Sequence, residues 1–111
     1  METNIPTGGT PVNILAIGRD HAILEVIQRL INAHEHWHAT IVTTEEGAIE
    51  ATKQKRFAIA LVSAGFSLQE EERIRQKFAQ LSPRTVVIRH FGGGSGLLEN
   101  EILGILNQDQ Q

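Results

Sequence analysis

The sequence predicts an α/β protein built on a doubly wound parallel sheet, and three observations carry that expectation. Short apolar runs, VNILAI, FAIALV and TVVI, break off at Gly18, Ser63 and Arg89, as strands buried on both faces of a parallel sheet do. Between them lie segments with apolar residues at helical spacing, opened by Asp, Thr or Ser where an N-cap belongs. The two kinds of segment alternate through four units with short connections, which requires right-handed crossovers and helices on both faces of the sheet.

Residues 1–11 form a leader rich in Thr, Gly and Pro, without the basic start and apolar stretch of a signal peptide. Val12–Ile17 is the first strand. Over His21–Ala33 the residues Ile23, Ile27 and Leu30 recur at i, i+4 and i+7, Leu24 and Ile31 widen the stripe, and Asp20 is the expected N-cap. Ala39–Thr43 reads as a weaker strand suited to a sheet edge. Thr43 and Glu46 have capping-box spacing and open a second helix running to about Lys55.

Phe57–Val62 is apolar throughout and belongs at the sheet centre. Ser67 and Glu70 repeat the capping-box spacing, Ile74, Phe78 and Leu81 mark one helix face, and Pro83 closes that helix. Glu71 precedes Arg75 by four residues, and the run Glu70–Glu72 reads as a solvated first turn complementing the helix dipole. Thr85–Ile88 is the fourth strand, followed by Arg89, His90, Phe91 and the loop GGGSG. Leu97–Leu106 reads as a final apolar helix. The folded domain is expected over residues 12–107, with a polar tail at 108–111.

The 111 residues suit one domain and exclude a multidomain enzyme. Hydrophobic residues at 41% and charged residues at 21% are enough to build a core and leave no compositional reason for disorder. The absence of cysteine removes disulfides, thiolate metal sites and cysteine catalysis. A net charge of −3 gives no footprint for nucleic acid, and no apolar run approaches the roughly 20 residues that span a bilayer. The cytoplasm is the expected location.

In wound sheets ligands bind at the carboxyl ends of the strands. That rule places Gly18, Arg19 and Asp20, then Ser63 and Ala64, then Arg89, His90 and the glycine loop around one crevice. TTEEGAIEATKQKRFAIALVSAGFS, with ILAIGRD before it, resembles the receiver domain of two-component response regulators, over roughly Asn13–Leu106. The resemblance implies a flavodoxin-like sheet in the order 2-1-3-4, shortened to four β–α units. In that pattern Ser63 stands at the phosphoacceptor aspartate, and Gly18 and Arg19, with Asp20 just beyond, stand at the acidic pair that holds Mg²⁺. His90 falls at or beside the Ser/Thr position, and the lysine on the family's fifth strand has no counterpart. Aspartate is scarce throughout, at Asp20 and Asp109 only. The expectation is a degenerate pseudo-receiver: not an enzyme, with no cofactor or metal and no aspartyl phosphate.

A second class of function is a small-anion or nucleotide sensor. Gly92, Gly93, Gly94, Ser95 and Gly96 precede an apolar helix, whose N-terminal amides hold anions well, and Arg19, Ser63 and His90 would add donors. The loop matches neither the P-loop nor the dinucleotide fingerprint. The segment HEHWH, His34–His38, matches the zinc-protease motif literally, but it falls where the first helix must end, and histidines there complement the helix dipole without a metal. His21 is expected to be solvated, and Trp37 to be a core or interface plug.

With strand four at the edge, Thr85, Val86, Val87 and Ile88 form a template for pairing with another chain. The sequence therefore predicts a homodimer, or association with a signalling protein, through strand four or the final helix. Bare apolar surface is expected beside strand four and the first helix.

Overall fold

The computed structural model describes residues 11–63, 65–89, 100 and 102–106. Seven elements follow in order: β1 (Val12–Ile17), α1 (His21–Asn32), β2 (Trp37–Val42), α2 (Glu45–Gln54), β3 (Ile59–Val62), α3 (Leu68–Leu81) and β4 (Val86–Arg89). Residues 100 and 102–106 are helical. The four strands are parallel in the order β2-β1-β3-β4, the doubly wound α/β topology expected from the alternation of units.

Side-chain alternation along the strands divides the core into two layers. Ile14, Ala16, Ile59 and Leu61 meet Leu24, Ile27 and Ile31 of α1 on one face. Leu15, Ile17, Ala60 and Val62 meet Ala48 of α2 and Ile74 and Phe78 of α3 on the other. Ile102 of the final helix is fully buried in the α1 layer, with Ile105 and Leu106 packed against it. The final helix thus packs on its own sheet, while Ile23 and Val26 of α1, Val86 of β4 and Leu103 remain exposed.

Boundaries move where local signals compete with the ladder. β2 begins at Trp37, whose partner is Val12, two residues before the expected start. Its N-cap neighbour is also shifted: Thr44, not Thr43, caps α2, its hydroxyl accepting from Gly47 N–H at 2.9 Å. Phe57 is buried but precedes β3, and Ala58 N–H bonds Asn13 carbonyl at 2.9 Å just ahead of the strand. Asp20 caps α1 through Ala22 and Ile23 N–H, and Ser67 with Glu70 forms a complete capping box on α3.

The HEHWH segment lies in the turn after α1 and the first two residues of β2, so its histidines do not share a helix face. His34 instead stacks on Trp37, with ring centroids 3.9 Å apart, and Trp37 is buried in the α1 layer.

Candidate functional site

The crevice forms where β1 and β3 end side by side. Ser63 N–H bonds Ile17 carbonyl at 2.7 Å, which brings Ser63 against Gly18. A Cβ on Gly18 would stand 3.0 Å from Ser63 Cβ and 3.1 Å from Leu24 Cδ2, so the two strand ends pack closely because this position has no side chain. Both residues are buried.

Arg19 crosses the mouth of the crevice. Its guanidinium lies 4.8 Å from the Phe66 ring centroid, a cation–π contact, and pairs with Glu70 at the start of α3. Gly65 has φ +108, a conformation that glycine adopts without cost, and a Cβ there would come within 2.9 Å of Arg19 Cβ. The loop after β3 thus folds around the Arg19 stem. Asp20 turns to the other side, its Oδ1 accepting from Ala22 and Ile23 N–H at 3.0 and 3.3 Å. His21 lies 3.7 Å from Glu25, not against Asp20. A shallow depression beside these residues is lined by Arg19, Asp20, His21, Ala22, Ile23 and Gly65.

Glu70 joins two functions. Its carboxylate accepts from Ser67 N–H at 2.9 Å and from Arg19, and its pKa is held below the ordinary value, chiefly by the Ser67 hydrogen bond and then by the Arg19 charge, against some desolvation. A carboxyl whose folded pKa is depressed contributes stability above its unfolded value and loses that contribution as pH falls through the folded one. Melting temperatures between pH 5 and pH 3, a window that starts above the usual glutamate pKa of about 4.3 and ends below it, are therefore expected to fall less steeply for Glu70→Gln than for wild type. Equal slopes would show that the tether carries no net stabilisation.

These positions do not fit a hard dication, which requires several oxygen ligands. Gly18 contributes no side chain, Arg19 brings a guanidinium, and the one carboxylate, Asp20, faces helix amides. Arg19, Asp20, Gly18 and Ser63 are brought together; His90 and Gly92–Gly96 lie outside the described residues, as does Ala64.

At the neighbouring edge a second cluster appears. Glu71, with a side chain 11% exposed, accepts from Arg75 Nε and Nη2 at 3.1 and 2.9 Å. Arg89 Nη1 stands 3.0 Å from its other oxygen, an ion pair off the alignment of a hydrogen bond. Glu71 thus departs from the solvated first turn expected for Glu70–Glu72, whereas Glu72 is exposed as expected. The signal was present in the spacing: Glu71, Ile74 and Phe78 occupy i, i+3 and i+7, the buried stripe of α3. Thr85 is also inside, its hydroxyl donating to Phe57 carbonyl at 2.7 Å, so pairing at the edge falls to Val86–Arg89.

Among solved structures, the signal receiver domain of an HD domain-containing protein from Pseudomonas fluorescens Pf-5 superposes with a TM-score of 0.65 at 15% identity. The match covers 77% of this chain and 62% of that one, so the chain spans less than two thirds of that receiver's length. The chain has a receiver-like fold. An adenylate cyclase from Rhodopirellula baltica is similar over 90% of this chain and 71% of its own, with a TM-score of 0.64 and 19% identity. A putative pilus assembly-related protein from Burkholderia pseudomallei K96243 shares the receiver-like fold over 86% of this chain and 73% of its own, at a TM-score of 0.58 and 19% identity. At such identities the likeness concerns the fold alone. No protein-family model matches the sequence, and no curated protein is significantly similar to it.

Proposed function

We propose that this receiver-like chain is a phosphorylation-independent signalling or scaffolding module, not an enzyme, that acts by protein association. The observation that carries the reading is Arg19, paired with Glu70 and laid over Phe66 where phosphoryl transfer in a receiver needs metal-binding carboxylates. Ser63, buried against Gly18, has neither the charge nor the metal to attack a phosphodonor. Incubation with Mg²⁺ and a small acyl phosphate is expected to leave the intact mass unchanged; a phosphoryl adduct on any residue of the crevice would sink the proposal.

The favoured partner is a second copy. Among the described residues β4 has one strand neighbour, β3, and Val86 on it is 40% exposed, which suits edge-to-edge pairing. Sedimentation is expected to return twice the mass of one chain, and a stable monomer at high concentration would count against the homodimer. A small-anion or nucleotide sensor fits less well, because the Arg19 charge is already balanced by Glu70. The cytoplasm is the proposed location, consistent with the absence, among the described residues, of any helix long and apolar enough to cross a membrane.

A further inference from the structure

Among the described residues β4 has no strand on its outer side, yet that edge is not bare. Val86 N–H bonds Ala58 carbonyl at 3.0 Å, and Val86 and Val87 lie opposite Ile59 and Ala60. In a parallel ladder, a residue that bonds its neighbour through both backbone groups alternates with one whose groups face away, so the N–H and C=O of Val87 point outward from the sheet. Arg75 Nη1 donates to that carbonyl at 2.8 Å, while Nε and Nη2 of the same guanidinium hold Glu71. The carboxylate is nearly buried, and Arg89 braces it from the other side. The fork is therefore fixed in place, and it stands where a neighbouring strand would have to come.

We infer that Arg75 gates the β4 edge, and that the strand admitted when it withdraws is β4 of a second copy, antiparallel across a two-fold axis at Val87. This rests on the association proposed above and adds its register and its control. Pairing centred on Val87 lets the two copies exchange both Val87 bonds, the self-complementary arrangement that a two-fold interface requires. It also sets Val86 of each copy opposite Ile88 of the other, two β-branched cross-strand pairs of the kind that stabilise sheets. Val86 is exposed and Ile88 only partly buried in the free chain, so both have surface to lose on pairing. The guanidinium opposes this as charged groups on edge strands generally do, because the Val87 carbonyl must give up the Arg75 donor before it can accept the N–H of the incoming strand.

The test is sedimentation equilibrium of wild type, Arg75→Lys and Glu71→Gln/Arg75→Met. Lysine keeps a cation beside Glu71 but lacks the fork that reaches two acceptors at once; the double variant removes the fork without stranding a buried carboxylate. Both are expected to dimerise more tightly, the double variant by about tenfold, since one charge-assisted bond no longer competes. Adding Val87→Pro to the double variant deletes the outward N–H at a site where an edge strand tolerates proline, and is expected to abolish the gain. Affinity unchanged in both variants, or a gain that survives Val87→Pro, overturns the gate. Dimeric wild type with unchanged variants leaves the association standing without the gate. Monomeric wild type with dimeric variants supports the gate and overturns the resting homodimer, and monomers throughout overturn both.

Discussion

Phe78→Ala is expected to destabilise the chain by about 3–5 kcal/mol, the usual cost of emptying a core aromatic site, and to lower the melting temperature by more than about 10 °C. Phe78 is 1% exposed and packs with Leu15, Ile17, Ala60 and Val62 of the sheet and with Phe57, Phe66 and Ile74. Its loss therefore opens a cavity beneath α3 at a point where strands, helix and the loop after β3 meet. That helix carries Glu70 and Glu71 in its first turn, so it supports both the Arg19 tether and the edge cluster. Differential scanning calorimetry gives the stability. Amide exchange gives the coupling: protection at Ser67 and Glu70 is expected to fall along with that of the helix interior. A loss below about 1 kcal/mol would mean that the layer collapses to fill the site, and that α3 does not hold the Arg19 tether and the edge cluster rigidly.

Where tertiary packing agrees with local chemistry, the sequence is easy to read. β1 occurs at Val12–Ile17 as expected, and Asp20 and the Ser67–Glu70 box start α1 and α3 where their spacing requires. Legibility fails where one residue satisfies two rules. Thr43 and Thr44 are both capping residues, and only the end of the β2 ladder at Val42 decides between them. Glu71 follows the chemistry of a solvated first turn and the spacing of a buried stripe; the second prevails because Arg75 and Arg89 supply compensating charge, and Arg89 comes from a strand eighteen positions away in sequence. The crevice shows the same division. The rule for strand ends names Gly18, Arg19, Asp20 and Ser63, but no local pattern says that Arg19 will turn to Glu70 and Phe66, contacts that exist only once β1 and β3 lie adjacent.

Gly18→Asp, which puts an acid where the receiver resemblance expects the first of its acidic pair, is expected to cost more than about 2 kcal/mol, because overpacking of about 1–3 kcal/mol adds to the burial of an unpaired carboxylate. The new Cβ would meet Ser63 Cβ at 3.0 Å and Leu24 Cδ2 at 3.1 Å. The nearest charge of opposite sign by sequence, Arg19, is already held by Glu70. Gly18→Ala separates the two contributions, since it brings the Cβ without the charge; the difference between the variants measures what the crevice lacks as an electrostatic environment. Mg²⁺ decides whether that lack is reparable. A ligand that binds only the folded state raises the melting temperature with concentration, so a latent metal site would show itself in Gly18→Asp/Ser63→Asp as stabilisation by Mg²⁺ that wild type does not share. The expected result is no such shift, because Asp20 remains turned to the α1 amides and the Arg19 guanidinium repels a dication at the crevice mouth. Stabilisation by Mg²⁺ would show that two side chains alone keep the crevice from holding a dication. Its absence, together with Mg²⁺ binding that appears on further replacement of Arg19→Asp, would assign that block to the tether between β1 and α3.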